Sequence, residues 1–264
     1  MKLKIKNQPF VADFYHTPDS KNKIVLVVVG GSEGGKPNYL AEQFVEKGFS
    51  VLSLAYFKET TLPDNLELIP LEYFDSPIFW LQSNHNFDKI IIVGISKGAE
   101  LALLLASINN DICGVIAYSP SAVVFEGFGN DQTKHNPSWT INSKQIKFVP
   151  FDTTGVKDLN DYYAIYKQSI TQTSFVENAM IEVENINGPI LLLSGSDDRM
   201  WPSKEMSEMI VNRLKTKNFK FKYKDICFDG AGHVFSEYYT ELGGNADSNK
   251  IARVEAMEEI LRFF

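Results

Sequence analysis

The chain has 264 residues, 44% hydrophobic and 22% charged, ordinary values for a globular protein and enough for one sizeable α/β domain. A net charge of −7 argues against a nucleic-acid partner or an anionic membrane surface, both of which need clustered Lys and Arg. No apolar run is long enough for a transmembrane helix and MKLKIKNQPF carries no signal-peptide core, so a cytoplasmic protein is expected.

Residues 2–15 offer two weak strand candidates, read as an N-terminal hairpin. Lys23–Val29 (KIVLVVV) is a continuous apolar run ending at Gly30-Gly31, the pattern of a central parallel strand buried on both faces. A helix is predicted from about Pro37, with Leu40, Phe44 and Val45 on one face, then a strand over Ser50–Phe57. Residues 69–83 have helical spacing, with Pro77 starting or kinking a turn. Lys89–Ile95 reads as a strand and Lys97–Ile108 as a strong helix. Further strands are predicted at Ile112–Tyr118, Ile190–Leu193 and near 220–228, and helices at 203–216 and 249–263. Strands alternating with helices imply an α/β fold, a mostly parallel sheet with helices on both faces. Residues 121–187 break this rhythm, with one apparent helix near 159–169, and read as a cap inserted into a single domain. Cys113 and Cys227 lie in apolar runs and are expected as buried, reduced thiols.

Gly94-Ile95-Ser96-Lys97-Gly98 sits where a buried strand meets a helix. That is the context a G-x-S-x-G nucleophile elbow requires, and it makes Ser96 the candidate nucleophile of a serine hydrolase. A serine needs a base, and chain order demands a histidine after the last strand. Among His16, His85, His135 and His233 only His233, in Gly230-Ala231-Gly232-His233, satisfies this; His16 and His85 read as surface loop residues. The acid follows the strand at 190–193, where Asp197 and Asp198 compete. The spacing G-x-x-D-x-x-x-P selects Asp198. Oxyanion donors are expected from the backbone of Lys97 and from Gly31 or Ser32 in the loop Gly30-Gly31-Ser32-Glu33-Gly34-Gly35. A phosphate loop is the rival reading there, but Pro37 stands where a magnesium-binding hydroxyl would be needed. No ligand spacing suggests a metal, and no cofactor is implied.

Widely spread blocks also resemble one family. They are Leu54-Ala55-Tyr56-Phe57 with Leu62-Pro63, Ile69-Pro70-Leu71-Glu72-Tyr73-Phe74, the elbow through Glu100, Tyr118 to Val124, Gly195 to Pro202, and Gly230 to His233. Together they are similar to the catalytic domain shared by acyl-CoA thioesterases and bile acid-CoA:amino acid N-acyltransferases, within the α/β-hydrolase superfamily. The resemblance implies hydrolysis of an acyl thioester, acyl-CoA foremost, through an acyl-enzyme on Ser96. The animal members carry an additional N-terminal β-sandwich, whereas this chain resembles a short, stand-alone bacterial form. The amino-acid-conjugating members use cysteine, so serine favours water as acceptor and leaves transfer to an amine as an alternative. A carboxylesterase or dienelactone-type hydrolase is the other alternative. Coenzyme A phosphates would draw on Lys36, Lys58, Lys97 or Arg199, though Lys97 and Glu100 can instead pair weakly along the helix. Tyr56, Phe57, Trp139 and Trp201 are the candidates for lining the acyl pocket of a small-molecule site.

Overall fold

Alternate residues of the strand Ile24–Val29 enter two different cores: Val25, Val27 and Val29 one, Ile24, Leu26 and Val28 the other. That division places the strand in the middle of a sheet covered on both faces. The computed structural model describes residues 2–5, 7–18, 23–131 and 133–264. In chain order its elements are β1 (Lys2–Lys4), β2 (Val11–Tyr15), β3 (Ile24–Val29), α1 (Asn38–Glu46), β4 (Ser50–Ala55), β5 (Ile69–Pro70), α2 (Asp75–Asn84), β6 (Lys89–Ile95), α3 (Lys97–Ile108) and β7 (Ile112–Tyr118). They continue with β8 (Trp139–Ile141), β9 (Lys144–Gln145), α4 (Tyr162–Ser169), α5 (Thr173–Ala179), β10 (Ile190–Gly195), α6 (Ser203–Thr216), β11 (Tyr223–Phe228) and α7 (Ala246–Phe263).

Eight strands form one sheet in the order β1-β2-β4-β3-β6-β7-β10-β11. β1 and β2 form the expected antiparallel pair, β2 runs antiparallel to β4, and the pairings from β4 to β11 are parallel. Helices α1 and α7 cover one face, and α2, α3 and α6 the other. This is the α/β-hydrolase architecture. The carboxyl ends of β3, β6, β7 and β10 lie side by side, which is where ligands bind in such sheets.

The elements follow their sequence signals with local exceptions. The 69–83 pattern is divided: Leu71–Phe74 forms a 3-10 turn and α2 begins at Asp75, with Pro77 in its first turn. The last helix begins three residues before the expected start because Asn245 and Ser248 form a reciprocal capping box. The segment between β7 and β10 holds α5 and the short strands β8 and β9 in addition to the expected helix. It is sewn to the chain before α2, since β8 pairs with β5 (Ile69 opposite Trp139) and Phe128 bridges Leu66. These contacts join residues 70 and 62 positions apart, beyond the reach of local periodicity.

Both cysteines are free, but neither is buried: Cys113 is half-buried and Cys227 exposed. For Cys227 the expectation failed because β11 is the outer strand of the sheet, and an edge position leaves it facing solvent. His16 and His85 are half-buried, not surface residues, and pack with Phe14, Trp80 and Phe87. Among the described residues no helix is long and apolar enough to cross a membrane.

Candidate active site

Ser96 lies between β6 and α3, as the N-cap of α3, with φ 58° and ψ −124°, a conformation a serine adopts only under constraint. Its N–H donates to Tyr118 O (3.0 Å), and its carbonyl accepts from Ala99 N (2.8 Å) and Glu100 N (3.1 Å). The flanking glycines are dictated by contact. A Cβ on Gly94 would lie 2.0 Å from Gly98 O, and one on Gly98 would lie 2.3 Å from Gly30 O. The same close approach presses the β3 loop against the elbow. A Cβ on Gly31 would meet Ser96 Cβ at 3.1 Å. Two of the predicted oxyanion donors therefore flank Ser96. Lys97 N–H, in the first turn of α3, has no intrahelical acceptor. Gly31 N–H is taken by the Glu33 carboxylate at 3.0 Å. Ser32 is exposed, and its carbonyl receives Lys58 Nζ at 3.4 Å.

Asp198 and His233 meet as expected: Nδ1 lies 2.9 Å from Asp198 Oδ2, and both side chains are buried. Acceptance by a carboxylate makes Nδ1 the donor, which in the neutral ring leaves Nε2 with its lone pair. Nε2 is buried and has no hydrogen-bond partner among the described residues. Asp198 Oδ1 accepts from Met200 N (2.9 Å) and Trp201 N (3.2 Å), and Ser203 Oγ donates to Oδ2 at 2.5 Å. Asp197 points elsewhere, toward Gly244 N and Arg199. The Gly244 N–H holds its carboxyl below the usual carboxylate range against a smaller opposing effect of burial, with Arg199 adding to the lowering.

The histidine loop is anchored from three sides. Ser119 Oγ donates to His233 O (2.6 Å), Trp201 Nε1 donates to Ser119 O (3.1 Å), and Asn249 on α7 receives Gly232 N (2.7 Å). Asn249 also donates to the carbonyls of Ser236 and Gly243. Since Ser96 is tied to Tyr118 and His233 to Ser119, the end of β7 holds both.

The four expected pocket residues are all fully buried. Tyr56 donates to Gly30 O (2.7 Å), and burial pushes its phenol well above the ordinary value, keeping it a donor. Phe57 lies tilted against Tyr56 with ring centroids 5.1 Å apart, while the Trp201 ring meets His233 edge-on at 5.7 Å. Trp139 is engaged with the insertion's anchor on α3, where its Nε1 donates to Glu100 Oε1 at 2.8 Å.

Lys97 corrects the sequence reading. Its side chain is not available to a phosphate and does not pair weakly at the surface; it lies in the core, 2.9 Å from both oxygens of Glu100. The reason is that α3 is enclosed between sheet and insertion, so Lys97, although in its first turn, faces protein on every side. Of the other cations, Lys36 pairs with Asp13 (3.4 Å) and reaches Glu59 (4.0 Å), Arg199 pairs with Asp197 (3.1 Å), and Lys58 holds the carbonyls of Ser32 and Glu33. Two sizeable surface cavities, one beside Leu71 and Ile108 and one between β11 and α7, touch neither Ser96, Asp198 nor His233.

Sequence reading passed over Glu33, Ser119, Ser203 and Asn249. Glu33 lies in the glycine-rich loop and Ser119 in a block that resembles the family, while Asn249 is a polar residue on the stripe that continues through Ala252, Ala256 and Ile260.

Residues 69–242 match the family described as BAAT / Acyl-CoA thioester hydrolase C terminal. The chain belongs to that family. Acyl-coenzyme A thioesterase 1 of Mus musculus is 30% identical over 256 residues, covering 90% of this chain and 58% of the relative. The human acyl-coenzyme A thioesterase 1 is 28% identical over the same length, with 59% of it covered. The chain thus spans somewhat over half the length of these family members. The fold extends further than the family. A Pyrococcus furiosus esterase superposes with TM-score 0.57 at 14% identity, covering 98% of this chain and 89% of that one. A dienelactone hydrolase-like phosphotriesterase from metagenomic libraries gives 0.56 at 10% identity, with 96% and 92% covered.

Proposed function

We propose that the chain hydrolyses acyl thioesters, acyl-CoA foremost, through an acyl-enzyme on Ser96. The observation that carries this reading is the buried His233, fastened to Asp198 through Nδ1 with Nε2 unpaired, held with the Ser96 elbow at one strand end. Family membership supports the thioester as the bond attacked.

In the proposed mechanism His233 Nε2 takes the hydroxyl proton as Ser96 Oγ attacks the carbonyl carbon. The Asp198 carboxylate orients the ring and stabilises its charged form, itself held by the two backbone N–H groups and Ser203. The tetrahedral oxyanion takes the N–H of Lys97, beside Ser96, and a second donor from Gly31 or Ser32. Collapse breaks the C–S bond, and the departing sulfur takes the proton from His233 Nε2, leaving the ring neutral. Water, deprotonated by that neutral ring, then attacks the ester carbonyl, and His233 returns the proton to Ser96 Oγ as the acid leaves. Residues 121–187 act as the cap, clamped to α3 through Trp139 and Phe125, which both donate to Glu100.

One observation favours a second reading, hydrolysis of carboxylic esters: three of the four cations suggested for phosphate recognition are neutralised by carboxylates. The test compares thiol release from acyl-CoA substrates of several lengths with alcohol release from aryl esters, for the wild type and Ser96→Ala. Loss of both activities in the variant with a thioester preference in the wild type is expected. A strong ester preference would select the second reading, and undiminished turnover by Ser96→Ala would remove Ser96 from the mechanism.

A further inference from the structure

The loop after β3 offers the Gly31 N–H beside Ser96, yet in this structure that N–H is already occupied. Glu33 folds back over its own turn and places Oε1 3.0 Å from Gly31 N, where Tyr39 Oη also donates to it at 3.3 Å. Glu33 and Ser96 press on the same face of Gly31: a Cβ built there would lie 2.8 Å from Glu33 Oε2 and 3.1 Å from Ser96 Cβ. A Cβ on Gly30 would likewise meet Glu33 Oε1 at 2.8 Å, so the glycine pair forms the slot into which the carboxylate fits.

An anionic oxygen on a proposed oxyanion donor is a stand-in for the transition state's own charge. The two cannot share one N–H, and like charges brought that close repel each other. The loop backbone is held independently of the carboxylate. Tyr56 Oη donates to Gly30 O, Gly35 N donates to Phe57 O (3.0 Å), and Lys58 Nζ reaches the carbonyls of Ser32 and Glu33. Gly31 is buried whereas Glu33 is exposed, so the donor stays fixed and the carboxylate alone is free to leave by side-chain rotation.

We infer that Glu33 is an internal gate on the oxyanion site, capping Gly31 N–H at rest and swinging into solvent when a substrate carbonyl takes that N–H. This rests on the proposed reading of Ser96 as nucleophile and narrows the second oxyanion donor to Gly31. Glu33 acts through Gly31 and is therefore a positioning residue.

The test uses Glu33→Ala and Glu33→Gln in the full chain, with folding checked by thermal melting. Three quantities are read: the rate at which a fluorophosphonate labels Ser96, kcat and KM on an aryl ester, and the affinity for a trifluoromethyl ketone that forms a tetrahedral adduct. Removing a competing internal hydrogen bond to a charged group should raise the labelling rate and kcat about three- to tenfold in Glu33→Ala. Ketone affinity should rise by a similar factor with KM little changed, and Glu33→Gln should fall between the alanine variant and the wild type. Labelling at Ser96 that is unchanged or slower in Glu33→Ala overturns the gate and leaves the nucleophile assignment standing. Absence of labelling in wild type and variants alike overturns the nucleophile assignment, and the gate with it.

Discussion

Lys97, next to Ser96, and Glu100, one turn later on α3, face one another with Nζ 2.9 Å from the carboxylate and side chains 1% and 0% exposed. Burial pushes the ammonium down and the carboxyl up from their ordinary values, and each charge opposes the other's shift. Trp139 Nε1, Phe125 N and two backbone carbonyls complete the cluster. Removing one partner strands a buried charge, so Lys97→Met or Glu100→Gln should each cost about 3–5 kcal/mol in denaturant unfolding. The double variant Lys97→Met/Glu100→Met should cost less than the sum of its two single methionine variants, because no charge is left unpaired. Strict additivity would show that the two residues do not act as a pair.

The adjacent aspartates should separate cleanly. Asp198→Asn keeps the loop's hydrogen bonds but turns an acceptor into a group that presents the wrong histidine tautomer, and should lower kcat on the order of 10³- to 10⁴-fold with little change in thermal midpoint.

Asp197→Asn should retain activity and lose stability near neutral pH, with the difference from wild type vanishing on the acid side. The folded-state pKa of Asp197 is depressed, so its contribution is present above the ordinary value of 3.8 and lost as pH falls through the lower folded value. Melts from pH 7 down to pH 2 should show wild type and variant converging at the acid end. Divergence there instead would mean that the Gly244 and Arg199 contacts do not stabilise the fold.

Asn249→Ala removes one acceptor and two donations that hold the loop carrying His233. A loss of about 1–3 kcal/mol is expected from the buried groups left unpaired, together with a fall in kcat at a temperature where the variant is still folded. Full activity in a destabilised variant would confine Asn249 to stability.

Gly98→Ala places a methyl carbon 2.3 Å from Gly30 O and 2.6 Å from Val29 O, so strand β3 and helix α3 must separate. Backbone has nowhere to rotate away, and a cost of about 3 kcal/mol or more is expected with activity lost. A soluble variant with wild-type turnover would contradict the close approach of the two elements.

The fold and the meeting of Asp198 with His233 were legible because their signals are local. Buried strands such as KIVLVVV have no polar face, the glycines around Ser96 have no substitute in so tight a turn, and a loop histidine after the final strand has few competitors. Choosing Asp198 over its neighbour also rested on spacing alone, and the structure places that residue on the histidine. The environment of each side chain was not legible. Whether Lys97 meets solvent or core depends on residues 125 and 139, brought over it by an insertion whose strand pairing spans the chain. Cys227 faces solvent because its strand has a neighbour on one side only, a property of strand order and not of the apolar run. The sequence by itself determined the tight strand–helix turn at Ser96, the chain order of the candidate groups and the layered sheet, since each follows from sterics within a few residues. Only the tertiary structure decided that Lys97 is a buried strut and that Glu33 sits on the Gly31 N–H, because burial and hydrogen-bond partners are set by what packs against a residue from distant parts of the chain.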